Sequence, residues 1–424
     1  MIYDHGMFSD RISLAVACSS CPPWDCAGSR VHSGFSRPTA AALPPRRRRR
    51  GAQGRGGSVL ACLLILALLP CSAAAIEYKI FANMDYLASS LPTQPGGFVQ
   101  GTMDFFATHS IDPRTDSLAE VTVHPHKTGL AGIDLERLQV GYLFHDSLRL
   151  WVGRFHNLLG YWNLAYHHGM LLHTTVDRPD FLKWEHDGGF LPTHFNGVWA
   201  EGRVPAGPAK LRYGVMVGNG SQIITTGMQA NNIGDDNSNK AVSFNLTASL
   251  RDLPFTGAGL SGNFSRIMER GAGSILRSET SQKILGAHLF HTQAPFELIA
   301  EYYNVRDDAV GVSSSKGSHT SHAYFVQGGY GLKEKVIPYI RYERVAAVGE
   351  SVYVTALKRN AIPQAPLAGV TPSAQDHFKY LLGIRYNLGV HSAVKLEWRY
   401  IRAPGTTSGH PIFREVAAQW AFSF

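Results

Sequence analysis

From residue 76 to the end of the chain, apolar and polar residues alternate with a period of two. In Ala241 to Leu250, Val242, Phe244, Leu246, Ala248 and Leu250 share one face, while Ser243, Asn245, Thr247 and Ser249 share the other. Arg137 to Phe144 sets Leu138, Val140, Tyr142 and Phe144 against Arg137, Gln139 and Gly141. Phe378 to Tyr386 sets Phe378, Tyr380, Leu382, Ile384 and Tyr386 against Lys379, Gly383 and Arg385. Val394 to Tyr400 sets Val394, Leu396, Trp398 and Tyr400 against Lys395, Glu397 and Arg399. Successive side chains of a strand point to opposite faces, so each segment predicts a strand with one apolar and one polar side.

The pattern predicts strands near 76–84, 98–107, 117–124, 136–145, 148–155, 194–203, 209–218 and 241–250, and again near 257–267, 283–291, 295–303, 322–332, 336–344, 377–387, 393–401 and 415–424. The weakest are 117–124 and 257–267, and Ser351 to Thr355 alternates well enough to extend a strand. A soluble sandwich would bury the apolar face; a membrane barrel would turn it to lipid and line a lumen with the polar face. Three features favour the barrel. Aromatics sit at strand ends on the apolar face, as at Tyr142, Phe144, Tyr386 and Tyr400. Full charges occupy successive positions of the polar face, as at Lys395, Glu397 and Arg399. Short turns alternate with longer connections. The expected fold is all-β, a transmembrane antiparallel up-and-down barrel of about 16 strands, with 14 to 18 acceptable.

Composition narrows the picture further. The chain has 424 residues, 44% hydrophobic and 17% charged, with mean hydropathy −0.09. That is too polar for a bundle of membrane helices, each of which needs about 20 mostly apolar residues. At 11% aromatic it is also too rich in rings for a disordered chain. The net charge of +8 is concentrated at the N-terminus. Residues 1–75 carry nine Arg, no Lys and three acids, and the remainder carries 31 bases against 29 acids. Nucleic-acid binding therefore has no support. All five cysteines (Cys18, Cys21, Cys26, Cys62, Cys71) also precede residue 76. The Cys18-Ser-Ser-Cys21 pair has no second pair to complete a zinc site, so no metal and no cofactor is expected.

Arg46 to Arg50 and Arg55 form a basic stretch, Val59 to Leu69 is an apolar run too short to span as a helix, and Ser72-Ala73-Ala74-Ala75 supplies small residues for cleavage. This order predicts a signal peptide over 46–75, cut after Ala75. Residues 1–45 have no periodicity and are expected to be a non-structural extension, consistent with a gene start placed too early. The barrel is expected over 76–424.

The last residues run Val416-Ala417-Ala418-Gln419-Trp420-Ala421-Phe422-Ser423-Phe424, with Val416, Ala418, Trp420, Phe422 and Phe424 on the apolar face. A final strand ending in a carboxyl-terminal Phe resembles that of Gram-negative outer-membrane proteins. The chain from residue 76 resembles the porin superfamily, including its phosphate-selective-like branch. Gly153-Arg154-Phe155, leading into Leu159-Gly160-Tyr161-Trp162, is similar to the passage before that family's constriction loop. The resemblance implies a place in the bacterial outer membrane, contact with its lipid, and recognition of Phe424 by the barrel-assembly machinery. It also implies a possible homotrimer, and a third outer loop folded inward to narrow the pore.

That loop corresponds to about 156–193, the longest connection of the barrel. Tyr161, Trp162, Tyr166, Phe181, Trp184 and Phe190 give it too much apolar area for an open solvated loop. Its charges are Asp177, Asp180, Glu185 and Asp187 against Arg178 and Lys183, and it carries His156, His167, His168, His173 and His186, with His194 just beyond. Three readings of the histidines stand open: packed neutral residues, groups titrating near neutrality, or metal ligands. Adjacent His167 and His168 point apart on an extended segment, which weakens the last. Half a circuit around the barrel, the inward positions carry Arg341, Lys379, Arg385, Lys395 and Arg399, with Glu343 and Glu397 between them. Acids on the loop facing bases on this pore wall would set a field across the constriction. The function expected is passive diffusion of small hydrophilic solutes and ions, with weak anion preference. The alternative is a barrel sheath or binding protein for a periplasmic partner such as an electron carrier. No Gly-x-Ser-x-Gly motif occurs, and no enzymatic step is expected.

Overall fold

Each alternating segment becomes a strand, because lipid on one side and the barrel interior on the other impose opposite preferences on successive residues. A computed structural model describes residues 76–91, 96–125, 131–166, 169–183, 191–224, 227–228, 234–235, 237–333, 335–347, 351–360, 376–403 and 412–424. The signal peptide over 46–75 and the extension over 1–45 lie outside the described residues.

The strands are β1 (Glu77–Ser89), β2 (Gly97–Asp112), β3 (Thr115–Pro125), β4 (Ala131–His145), β5 (Leu148–His156), β6 (His194–Ala206), β7 (Ala209–Asn219) and β8 (Ala241–Leu250). They continue as β9 (Thr256–Arg270), β10 (Leu276–His291), β11 (Phe296–Ala309), β12 (Ser318–Tyr330), β13 (Val336–Ala346), β14 (His377–Gly389), β15 (Ser392–Arg402) and β16 (Ile412–Ser423). Each long strand pairs antiparallel with its sequence neighbour. The sheet closes because Phe81 of β1 pairs with Asp104 of β2 on one side and Ser423 of β16 on the other. Closure leaves no edge, so the backbone of a sixteen-strand barrel is satisfied without water. No helix among the described residues is long and apolar enough to cross a membrane.

The expected strands near 117–124 and 257–267 form as β3 and β9. Two details differ from expectation. Ser351 to Thr355 adds nothing to a strand: Val352–Asn360 is a helix in the connection between β13 and β14. The rhythm of short and long connections also weakens at β9 and β10, whose connection, 271–275, matches the 251–255 turn in length. These two strands continue pairing beyond the apolar belt, which shortens the loop.

Outward faces are apolar and exposed, as at Val152, Val198, Leu246, Leu382 and Val416. The inner face is less uniform than a simple polar lumen. On β9 to β13 the inward positions include Ile267, Ile284, Ile299, Tyr303, Val305, Ala323, Phe325 and Val345, all buried. They form a core inside the barrel, covered by side chains from the connections. Tyr353, Val354 and Ala356 of the 352–360 helix join it, as do Ile223 and the aromatics of the third outer loop. Polar and charged inward residues line β1 to β5, β8 and β13 to β16.

Candidate functional site

The third outer loop leaves β5 through a glycine that no other residue could replace without strain. Gly153 has φ of +137°, and a Cβ there would lie 2.1 Å from the Leu138 carbonyl oxygen. The chain then turns inward. Asn157 donates from Nδ2 to Asn263 Oδ1 of β9 at 3.2 Å and accepts the Ser243 hydroxyl of β8 at 2.6 Å. Asn245 of β8 donates to the carbonyls of Leu158 and Gly160. At Gly160 φ is +71°, and a Cβ would come within 2.0 Å of the Tyr303 hydroxyl. A short helix, Trp162–Tyr166, follows. The backbone N–H groups of Tyr161 and Trp162 both donate to Glu301 Oε1 of β11, at 2.7 and 2.6 Å, and Tyr303 donates to Glu301 Oε2. Helix entries leave N–H groups without intrahelical partners, and here a carboxylate from the barrel wall takes two such donors.

Aromatic packing pins the same stretch. Trp162 meets Phe325 edge-on at 5.7 Å and lies tilted against His173 at 5.4 Å, and the Arg341 guanidinium lies over its ring at 5.6 Å. Phe181 packs against Tyr303 and Phe325. On the other side of the interior, Gly169 donates its N–H to Asp104 of β2.

The loop reaches the strands half a circuit away from its root. Arg341 of β13 donates to the Thr175 hydroxyl at 3.0 Å, the Asp177 carbonyl at 2.9 Å and the Arg178 carbonyl at 3.3 Å, and its Nε binds Glu343 at 2.7 Å. Lys379 of β14 binds Asp180 at 2.6 Å and Glu343 at 3.1 Å. Arg385 donates to the His173 carbonyl. Lys395 of β15 donates to the Met170 and Thr175 carbonyls. Glu397 accepts the Val176 N–H and the Tyr339 hydroxyl, and Arg399 bridges Glu397 at 2.6 Å and Glu415 at 3.4 Å. Within the loop, Lys183 pairs with Asp177 and, at 3.2 Å, with Asp180. Arg341, Glu343, Lys379, Lys395, Glu397 and Arg399 are all buried by this contact, and Arg385 is partly so.

Burial works against ionising Asp177 and Asp180, but nearby cations outweigh it. Lys183 and Arg399 hold Asp177 below the usual carboxylate range, and Lys379 and Lys183 hold Asp180 well below it. Burial, and then Lys395, push His173 well below the ordinary imidazole value, so it is neutral at pH 7. His156 is the last residue of β5 and not part of the loop proper. It pairs in register with His194 at the start of β6, their rings 5.3 Å apart. His194 Nε2 lies 2.9 Å from Glu136, and His156 Nε2 lies 3.7 Å from Glu120. His167, His168, Glu185 and Asp187 lie outside the described residues.

Among the described residues, one set of groups has metal-like geometry: Asp180, Glu343 and His377 each offer a ligand atom within 4.8 Å of the others. Lys379 touches both carboxylates, Lys183 touches Asp180, and Arg341 touches Glu343. Three cations already compensate these two acids, so a divalent ion would meet repulsion where it needs charge.

Sequence reading did not single out Glu301, Glu415, Thr175 or Glu136. Glu301 had a signal, being an acid on an inward face otherwise filled by Ile299, Tyr303 and Val305. Thr175 had none, because its contact depends on the path of the loop.

No family model matches the sequence, and no curated protein matches it. Solved structures resemble the fold. The anion-selective porin of Comamonas acidovorans aligns with TM-score 0.54 at 10% identity, over 83% of this chain and 100% of that one. The outer-membrane channel DcaP of Acinetobacter baumannii aligns with TM-score 0.53 at 10% identity, over 83% and 98%. The outer-membrane protein OmpT of Vibrio cholerae aligns with TM-score 0.51 at 11% identity, over 84% and 99%. At such identities the likeness is one of fold. The closed sixteen-strand barrel is the fold this chain shares with these outer-membrane proteins.

Proposed function

We propose that this protein is an outer-membrane diffusion channel for small hydrophilic solutes and ions, and that the segment 157–193 is its constriction. The observation that carries this reading is the docking of that segment across the interior onto Arg341, Lys379, Lys395 and Glu397. Solutes that pass are those the remaining polar interior admits, and no chemical step is involved. The pore-wall roles of these residues and of Arg385 and Glu343, and the constriction roles of His173, Asp177, Arg178 and Asp180, are part of the proposal. So are the homotrimer and the recognition of Phe424 by the assembly machinery. The Phe424 backbone pairs with Ile80 of β1, which leaves its ring at the barrel's turn end.

Weak anion preference belongs to the same reading. Glu343, Glu397 and Glu415 offset Arg341, Lys379 and Arg399, whereas Lys395 bonds to loop carbonyls, so its charge is less directly cancelled. A sheath around a periplasmic carrier is less well supported, because the inward loop and the 352–360 helix occupy part of the interior that such a partner would need. The deciding experiment is single-channel recording in a planar bilayer, with the reversal potential measured in a salt gradient. Discrete ohmic conductance with a modest anion-directed potential is expected; absence of conductance from a correctly folded barrel overturns the reading.

A further inference from the structure

Charges buried under a loop cannot sort ions, and burial inside this barrel runs around the whole circuit. Every one of the sixteen strands carries a buried inward residue. Asp104, Phe155, Asn245, Tyr303, Arg341 and Glu397 mark six of them, and none is more than 2% exposed. A water-filled lumen would leave polar wall groups wet. Toward the turn end the inner face opens again, with Arg149, Trp199, Glu201 and Arg385 partly exposed. The interior is thus filled at the level of the third loop, above an open vestibule.

The loop that fills it is held in two different ways. Its first part, 157–166, is tied to β8, β9 and β11 through Asn157, Asn245 and Glu301 and by the seating of Trp162 on Phe325. A later fixed point is Gly169, whose N–H meets Asp104 of β2 at 3.1 Å. The next is the pair Phe181 and Leu182, sunk in the core beside Tyr303 and Phe325. Between these two points the segment 170–179 crosses β13 to β16.

The wall grips that segment mostly by its main chain. Lys395 donates to the Met170 and Thr175 carbonyls, Arg341 to those of Asp177 and Arg178, Arg385 to that of His173 and Gln419 to that of Val176, while Glu397 takes the Val176 N–H. Apolar contact is slighter: Leu171 packs near Ala393 and Ala421, and Val176 near Leu87 and Ala417. Hydrogen bonds of this kind exchange for bonds to water at small net cost, whereas withdrawing Trp162 or Phe181 would expose a large apolar surface. The segment 170–179 is therefore the part of the loop that can lift while both of its ends stay seated.

We propose that 170–179 is an autoinhibitory strap: seated, it closes the barrel, and conduction occurs only while it is lifted from β13 to β16 between its pivots at Gly169 and Phe181. Lifting uncovers Arg341, Lys395 and Glu397, which become pore wall in the open state alone. The inference rests on the diffusion-channel reading and adds to it a closed resting state. Asp177 and Arg178 are the strap's two charged residues, and they cancel. The transmembrane potential therefore exerts no net pull on it.

The test is single-channel recording on the full-length barrel with a reversible lock. All five native cysteines precede residue 76. With these replaced by serine, V176C/A417C joins the strap to β16, and L171C/A393C joins it to β15 as a second lock should the first fail to fold or to form. The wild type should open in brief events, about 0.1–10% of the time, equally at both polarities. Oxidising the lock should abolish the openings, and reduction should restore them. K395M removes two grips on the strap and should raise the open fraction about tenfold. Heat-modifiable migration checks folding throughout. A wild type open for the whole record, or a lock that conducts equally when oxidised and reduced, overturns the strap and leaves the channel reading standing. An open fraction that follows the sign of the potential assigns closure to another element. Silence from the wild type, K395M and the reduced lock alike overturns the channel reading, and the strap with it.

Discussion

Asp180 and Lys379 lie 2.6 Å apart, yet 199 residues separate them in the chain. One sits on the inward loop and the other on β14, so the pair is a fastening between the loop and the barrel wall. Breaking one side of a buried pair costs about 3–5 kcal/mol, because the remaining charge is left without its partner. Lys379→Gln should therefore weaken loop docking and raise single-channel conductance. Asp180 keeps Lys183, which places the expected cost at the lower end of that range. The D180N/K379Q double variant should be less disturbed than K379Q alone, as a double-mutant cycle on conductance and on urea midpoint would read. Additive effects would mean the two groups do not act together.

Glu301 fastens the other end of the loop. Its Oε1 takes both the Tyr161 and Trp162 N–H groups. Glu301→Ala leaves the Tyr161 and Trp162 N–H groups and the Tyr303 hydroxyl without their acceptor, each worth about 1–3 kcal/mol. Amide exchange at Tyr161 and Trp162 should speed up markedly, while strand amides of β10 and β12 stay protected. Glu301→Gln keeps one acceptor oxygen and should fall between. Unchanged exchange in the alanine variant would show that Trp162 packing alone holds the turn.

The strands were readable because lipid and interior enforce opposite chemistry on alternate residues; Leu246 and Asn245 could not exchange places. The path of the loop was not. Strand count indicates that 156–193 has β13 to β15 opposite its root, but not that Thr175 meets Arg341 or that Asp180 meets Lys379. Those partners depend on where Gly160 turns and how Trp162 seats against Phe325. The 352–360 helix was also hidden, because a five-residue alternation over Ser351 to Thr355 fits a strand as well as a helix. What decides is the burial of Tyr353, Val354 and Ala356 against the β9 to β13 wall. The apolar inner face of those strands was masked by the apolar outer face beside it.

Acidification gives a further expected outcome. His173 is held neutral by burial and then by Lys395, well below its ordinary value. An undocked loop would titrate it near the unperturbed value of about 6.5. The contribution of neutral His173 to docking is thus complete above that pH and is lost as pH falls through the interval below it. Asp177 and Asp180 are held low by Lys183, Arg399 and Lys379, so their contribution is complete above about 3.9 and lost only at lower pH. Conductance should be flat from pH 8 to about 6.5 and rise on further acidification as the loop loosens. His173→Gln should flatten the first part of that rise. A transition centred at neutrality in the wild type would contradict the burial of His173.

Selectivity is the most exposed consequence of the proposed channel. Arg399 stands between Glu397 and Glu415, and removing it leaves two carboxylates facing each other across the vacated space. Arg385 is partly exposed and donates to the His173 carbonyl and to Asn387. R385Q should therefore lower anion preference mainly by removing one accessible positive charge. R399Q should move it further, because it also releases negative charge. Both shifts should be clear at 0.1 M salt and fade at 1 M, as the Debye length falls from about 10 Å to about 3 Å. Reversal potentials across a tenfold salt gradient measure the sequence of wild type, R385Q and R399Q. A cation-selective wild type, or an R399Q channel no less anion-preferring than R385Q, would place the controlling charges elsewhere in the interior.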